Sequence, residues 1–270
     1  MKTGGTEHID RHGPGFRMFA AIYGRPDPQR LALGGSVEIR GSIAYAFTPD
    51  GEGLANYLAS FDPDQGPEHL LSVARAFFQG RVPRFSLIVR VPDAEGSALP
   101  SLSGWLRSEV QSICSLALKG SLPIHSGLAT PVRIRDVETD LQSATWYRLR
   151  GKIFGRNVSK DISVPIAATV ACAPSLRRII AYVDRAAVGI ASYDMVADIG
   201  VLSDIGVLPN YRRRGIARCL VGNATVNLRA GSAEFTALLA QSHALGFYQS
   251  LGFTPVAKHR PYVHWSGLAP

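Results

Sequence analysis

Ser203-Asp-Ile-Gly-Val-Leu-Pro-Asn-Tyr-Arg-Arg-Arg-Gly-Ile-Ala-Arg-Cys-Leu-Val221 is the stretch on which the fold turns. It reads as a strand that runs into a basic, glycine-bearing loop and then into a helix with an apolar period. The start of such a helix presents unpaired backbone N–H groups and the positive end of the helix dipole, which together make a site for phosphate. Gly215 lets the backbone approach a ligand closely and Ala217 keeps the first turn small. Arg212, Arg213 and Arg214 add charge where a diphosphate would sit. Three arginines alone make a solvated basic turn or a nucleic-acid contact. Followed by Gly-Ile-Ala and an apolar helix, they read as the cradle of a phosphorylated cofactor.

Working outward, periodicity predicts strands over Ala167–Cys172, Arg178–Val183, Ala187–Tyr193 and Ile199–Val207, then a helix from about Gly215 to Leu228. A strand over Glu234–Ala240, a helix over Ser242–Leu251 and a last strand from Phe253 complete the half. That order is the order of an α/β domain with a mixed sheet. Toward the N-terminus, Ser36–Phe47 suggests a hairpin turning at Arg40-Gly41-Ser42, Glu68–Gln79 an amphipathic helix closed by Gly80, and Phe85–Val91 a strand. Leu102–Leu118 carries Leu102, Trp105, Leu106, Val110, Ile113, Leu116 and Ala117 at helical spacing. Gly120, Pro123, Gly127 and Pro131 interrupt any regular element, so a domain boundary is expected near residue 130. The organisation expected is a flexible tail over 1–15, an N-terminal α/β domain over 16–130 and a second domain over 131–270.

An apolar fraction of 46% with a charged fraction of 19% suits a chain that buries a real core. No window approaches the roughly 18 apolar residues of a membrane span, and MKTGGTEHIDRHGPGF lacks the apolar core of a signal peptide, so a cytoplasmic protein off the membrane is expected. Cys114, Cys172 and Cys219 are scattered, without the spacing of a disulfide framework or a zinc site; no metal is expected. The net charge of +8 attracts polyanions in general, and only Arg212-Arg213-Arg214 concentrates it.

Arg212-x-x-Gly215-x-Ala217 resembles the Gln/Arg-x-x-Gly-x-Gly/Ala motif of the GNAT superfamily of N-acetyltransferases. Val207-x-Pro209 upstream and Phe247-Tyr248-Gln-Ser-Leu-Gly252-Phe253 downstream, which is similar to the family's Phe/Leu-Tyr-x-x-x-Gly-Phe signature, fall in the family's order and separation. The resemblance covers about Pro131 to Trp265. It implies a mixed, mostly antiparallel α/β sheet with flanking helices, here preceded by a smaller α/β N-terminal domain. It also implies acetyl-CoA as co-substrate and direct attack of an amine on the thioester.

By the same resemblance, the strand ending at Val207 splays from the strand Glu234–Ala240 and the acyl-pantetheine arm lies in the gap. Backbone groups of Gly206, Val207 and Leu208 would meet that arm and polarise the thioester carbonyl. The segment Arg212, Arg213, Arg214, Gly215, Ile216 and Ala217 would hold the pyrophosphate. Gln241 stands where many members carry an asparagine that touches the pantetheine. Tyr248 falls where the family commonly places a tyrosine suited to protonating the departing thiolate. Asp204 is the candidate base or substrate-orienting group, because strand alternation puts it on the face of Gly206 beside the expected reaction centre. Asp198 and His243 are weaker alternatives.

The N-terminal half holds no second Arg-x-x-Gly-x-Ala loop. It is loosely similar to the upstream regions of some two-part GNAT proteins, as a degenerate unit that shapes the acceptor site or an oligomer contact. The acceptor expected is an amine on a small molecule or peptide, with no nucleic-acid partner; a homodimer is compatible with the sequence. The competing readings are a non-catalytic coenzyme A-binding regulatory module and a nucleic-acid-binding protein. The second is disfavoured because the arginines do not interleave with aromatics.

Overall fold

The described residues lay twelve strands into one sheet in the order β1-β2-β3-β4-β12-β6-β11-β10-β9-β8-β7, with β5 paired to β12. The computed structural model describes residues 14–25, 27, 30–31, 34–49, 56–62, 64–82, 85–91, 105–118, 131–155 and 164–264. The strands are β1 (Ser36–Arg40), β2 (Ile43–Phe47), β3 (Tyr57–Ser60), β4 (Ser86–Val91), β5 (Trp105–Arg107), β6 (Gln111–Ala117) and β7 (Val132–Asp136). They continue with β8 (Arg177–Val183), β9 (Ala186–Val196), β10 (Ile199–Val207), β11 (Phe235–Gln241) and β12 (Thr254–His264). The described α-helices are α1 (Pro14–Tyr23), α2 (Pro67–Phe78), α3 (Asp140–Phe154), α4 (Ile166–Cys172), α5 (Ile216–Ala230) and α6 (Leu245–Gln249).

Among the described strands, only β3 with β4 and β10 with β11 run parallel; the other pairs are antiparallel. Each parallel pair is joined through a helix, α2 in the first case and α5 in the second. The same unit therefore occurs twice. A strand antiparallel to its predecessor leads through a crossover helix to a parallel strand. Each unit then borrows its next neighbour from the other half. β11 pairs with β6 of the first half, β4 pairs with β12 of the second, and β6 and β12 pair with each other at the centre. The sheet thus runs across the boundary expected near residue 130, although residues 119–130 themselves lie outside the described residues.

Strand alternation sends residues to two cores. On one face, Ala44, Ala59, Ile88, Ile113, Val201, Ala237 and Ala257 pack with Met18, Phe19 and Tyr23 of α1, while Trp146, Tyr147 and Leu149 of α3 cover Ile180 and Ile190. On the other, Leu58, Leu87 and Val89 meet Leu70, Ala74 and Phe78 of α2. Cys114, Leu116, Leu202 and Leu238 meet Leu220, Ala224 and Leu228 of α5 on that face, with Tyr248 of α6.

Two elements differ from the sequence reading. Leu102–Leu118 is not a helix: its described part holds strands β5 and β6, while 102–104 lie outside the described residues. Ile113 and Cys114 are both 0% exposed, because β6 is central and covered on both faces. A strand buried on two sides reads as a near-continuous apolar run, whose spacing coincides with a helical one. Ala167–Cys172 is not a strand but the body of α4, where Val170 points to solvent at 52% exposure. The hairpin at Arg40-Gly41-Ser42, the helix after Gly66 and the strands β8 to β11 follow the reading. Helix α1 begins at Pro14, inside the stretch read as tail, and buries Met18 and Phe19; residues 1–13 lie outside the described residues.

Candidate functional site

The cradle rests on two left-handed backbone positions. After β10 a 3-10 turn spans Pro209–Tyr211, Arg213 adopts φ 64°, and Gly215 adopts φ 78° as the residue that starts α5. No side chain caps α5, and Cys219 N–H donates to the Gly215 carbonyl at 3.1 Å. The amides of Ile216, Ala217 and Arg218 are thus the orphan donors of a first helical turn. Left-handed residues beside a helix start are the kind of backbone geometry that can turn successive N–H groups toward one anion. Ile216 is 1% exposed and anchors the cradle in the core below it.

The three arginines do different things. Arg212 donates its Nε–H to the Val207 carbonyl at 3.1 Å, tying the loop to the end of β10. Arg214 donates to the Asn210 carbonyl at 3.2 Å and lies over the Tyr211 ring at 5.3 Å. Arg213 is exposed at its left-handed position.

The gap opens where the parallel register of β10 and β11 ends, at Leu202 opposite Leu238. Past it, β10 keeps only β9 as partner, with a bulge between Ser203 and Gly206. Leu208 N–H donates to Val188 O at 2.9 Å and Leu208 O accepts from Tyr211 N–H at 2.9 Å, so both of its backbone groups are engaged. Antiparallel alternation then turns the N–H of Val207 away from β9 and into the gap. Gly206 has a packing reason as well, since a Cβ there would meet Ile153 Cγ2 of α3 at 2.4 Å. Gln241 closes β11 as an exposed residue whose backbone pairs with Gln111 of β6.

Asp204 sits in the bulge with φ 50°. Its carboxylate accepts from Arg150 Nε of α3 at 2.8 Å and from Ser192 Oγ at 3.2 Å. The bulge breaks the alternation assumed from sequence, yet Asp204 still shares the α3 side with Gly206. Asp198 lies at the opposite end of β10 and is held well below the usual carboxylate range by its bond to Arg17. His243 is exposed, 3.9 Å from Glu109.

Tyr248 packs with Val207, Leu220 and Ala240 in the core on the α5 side. Its ring meets Phe253 edge-on, 5.9 Å between centroids. Burial pushes its phenol up to about 12, and among the described residues no hydrogen bond reaches its hydroxyl. Tyr248 and Asp204 therefore flank the gap from opposite faces of the sheet.

Four site residues have no signal in the local sequence. Ser192 of β9 bonds Ser203 at 2.7 Å, Arg25 after α1 donates to Ser203 Oγ at 2.7 Å, and Arg150 holds Asp204. Pairs separated by 54 and 178 residues show only in three dimensions. No group of three or more potential metal ligands occurs among the described residues, and no helix among them is long and apolar enough to cross a membrane.

Residues 174–255 match the family model described as an acetyltransferase (GNAT) domain. No curated protein sequence matches the chain. Among solved structures, a GCN5-related N-acetyltransferase from Kribbella flavida is similar with a TM-score of 0.65 over 94% of this chain and 96% of its own, at 15% identity. One from Sphaerobacter thermophilus is similar with a TM-score of 0.58 over 84% of this chain and 81% of its own, at 16% identity. A tandem GNAT protein from the clavulanic acid biosynthesis pathway is similar with a TM-score of 0.54 over 84% of this chain and 79% of its own, at 13% identity. At these identities the likeness is one of fold.

Proposed function

Residues 174–255 form an acetyltransferase domain of the GNAT family, and from that premise we propose that the chain is an acetyl-CoA-dependent N-acetyltransferase acting on an amine. The observation that carries this reading is the cradle of orphan amides at the left-handed Arg213 and Gly215 beside the open edge of β10. The donor set fits a pyrophosphate: backbone N–H groups at a helix start with arginines at the rim.

Bound acetyl-CoA supplies an activated acetyl thioester. The amides of Gly215, Ile216 and Ala217 hold the diphosphate, with Arg213 and Arg214 adding charge at the rim. Val207 N–H, facing the gap, donates to the carbonyl oxygen on which negative charge develops; Gly206 keeps the strand close to α3 and Gln241 borders the gap. The acceptor amine enters from the side of Asp204. The ammonium first loses a proton; the neutral nitrogen then forms the bond to the acetyl carbon, the carbon–sulfur bond breaks, the Tyr248 hydroxyl protonates the leaving thiolate, and the tyrosinate regains a proton from solvent as the new amide nitrogen gives one up. Because Arg150 and Ser192 already bind Asp204, its role is to orient the ammonium of the acceptor, and the proton passes on to water. The N-terminal half is a degenerate GNAT-like unit. Its loop before α2 carries Asp62 and Asp64 where the other carries arginines, a charge that repels phosphate.

Calorimetric titration of coenzyme A at low and high salt tests the cofactor site. Exposed charges are screened beyond about 8–10 Å at physiological ionic strength, so affinity falls as salt rises. An affinity indifferent to salt would show that the arginine loop does not hold the diphosphate.

A further inference from the structure

Just after α1, the Arg25 guanidinium donates through Nη2 to Ser203 Oγ at 2.7 Å. Ser203 Oγ lies 2.7 Å from Ser192 Oγ of β9, and Ser192 Oγ lies 3.2 Å from Asp204 Oδ2. Arg150 Nε of α3 donates to the other carboxylate oxygen, Oδ1, at 2.8 Å. A single line of hydrogen bonds thus runs from a cation of the first half to the carboxylate in the β10 bulge, with a second cation beyond it. Ser192 is 2% exposed, so water does not compete in the middle of the line, whereas the Asp204 side chain is 24% exposed.

The arginine fixes the direction of the line. A guanidinium has donors only, so Ser203 Oγ accepts from Arg25. Among the described residues the Ser203 hydroxyl has one further partner, Ser192 Oγ, and donates to it. The Ser192 proton then has two acceptors in reach, the Ser203 carbonyl at 3.3 Å and Asp204 Oδ2 at 3.2 Å. A bond to an ionised acceptor is roughly twice as strong as one to a neutral acceptor, so the proton turns to the carboxylate. The other terminal nitrogen of Arg25, Nη1, is closed to solvent and without a partner, so its charge acts on the site through Ser203. The line does not relay protons, because the guanidinium at its end stays protonated. It orients. The remaining ionisable groups at this place are Asp27 after α1 and Tyr147 and Arg150 on α3, with Arg178 donating to the Tyr147 hydroxyl at 2.9 Å.

We propose that Arg25 is a positioning residue for acetyl transfer: through Ser203 and Ser192 it fixes the Asp204 carboxylate that receives the acceptor's ammonium. The proposal rests on the acetyltransferase reading above. It gives the first half a part in acceptor binding that reaches the site through hydrogen bonds and not by contact with the substrate. Arg150 holds Oδ1 and Ser192 holds Oδ2, so the carboxylate is pinned at both oxygens and its remaining lone pairs are left for the ammonium. Without the line, Oδ2 loses its donor, and the charged form of Asp204 loses a stabilising bond.

Carbon-13 NMR of the full chain, labelled at the aspartate carboxyl carbon, reads the carboxylate directly and needs no acceptor; Asp204→Asn assigns the Asp204 signal by its loss. Removing a hydrogen bond to the charged form raises the midpoint of a carboxyl titration. The Asp204 midpoint therefore rises in Arg25→Gln and in Ser192→Ala, the double variant shifts little beyond Ser192→Ala, and Arg25→Lys regains part of the loss. Kinetics with acetyl-CoA and spermidine, tyramine or a lysine-containing peptide as acceptor gives the second readout. Arg25→Gln raises the acceptor KM by about 2- to 30-fold, the range for a residue that acts without touching either ligand, with kcat and the acetyl-CoA KM little changed. That rise disappears when Asp204→Asn is already present. An Asp204 midpoint indifferent to Arg25→Gln and Ser192→Ala in folded proteins overturns the proposal and leaves the transferase reading standing, as does a KM rise that persists in Asp204→Asn. Absence of amine-dependent thiol release overturns the transferase reading, and the role of Arg25 in transfer falls with it whatever the titration shows. Should Arg25→Gln fail to fold, Ser203→Ala breaks the line without removing the guanidinium, and its Asp204 midpoint decides.

Discussion

Gly215→Val weakens coenzyme A binding by about 100-fold or more in a protein that still folds. Gly215 holds φ 78° at the start of α5, a conformation that costs a residue bearing a Cβ roughly 1–2 kcal/mol. Relief of that strain pulls the amides of Gly215, Ile216 and Ala217 out of their common concavity. A hydrogen bond to a charged group contributes about 1.5–3 kcal/mol, so losing two weakens the Kd by about 100-fold or more. Helix α5 keeps its buried face of Ile216, Leu220, Val221, Ala224 and Leu228, so the far-ultraviolet circular dichroism spectrum is retained. Normal coenzyme A affinity in the folded variant would remove the phosphate cradle from the account.

Tyr248→Phe lowers kcat by about 10²–10⁴-fold, the usual contribution of a positioned proton donor, with little change in the KM for acetyl-CoA. The phenylalanine ring keeps the packing against Phe253 and Phe247, so the loss is confined to the hydroxyl. The direction of the shift fixes the pH dependence. A phenol raised from 10.0 to about 12 by burial stays protonated throughout the neutral and mildly alkaline range. Tyr248 therefore contributes no alkaline fall in rate below about pH 11, one unit under its raised value. Steady-state kinetics from pH 6 to 10 on both proteins check this; a Tyr248→Phe enzyme with unchanged kcat would assign the thiolate's proton to solvent.

The part of the fold that could be read from sequence is the part whose signals are local. The β10 to β11 passage has a strand, a glycine at a left-handed position and an amphipathic helix in consecutive order, so that Arg212 to Ala217 fall on loop and helix start as their sequence implies. Helix α3 has its local signal only at its two ends. Thr139 and Gln142 form a capping box and Gly155 closes the helix at φ 66°, but the chain between them lacks a clean apolar stripe. β6 resisted for the opposite reason, because burial on both faces erases alternation. The exchange of β6 and β12 between the halves had no local signal at all. Nor had the meeting of Arg25 with Ser203 or of Arg150 with Asp204, since pairing across the sheet brings each about from distant parts of the chain.

The exchange also explains why the halves depend on one another. The parallel pair β10 and β11 is flanked by β6, and α1 covers Val201 and Ala237 beside the site. The first half therefore packs against both strands of the parallel pair in the second, while in its own parallel unit the loop between β3 and α2 carries Asp62 and Asp64.

The central claim is acetyl transfer, and its most direct measurement is the release of free coenzyme A thiol from acetyl-CoA with and without amines, with the acetylated acceptor identified by mass. The account predicts thiol release that depends on the amine, one N-acetyl product per thiol, and loss of both in Gly215→Val. Tight coenzyme A binding with no amine-dependent thiol release across small-molecule and peptide amines would contradict it.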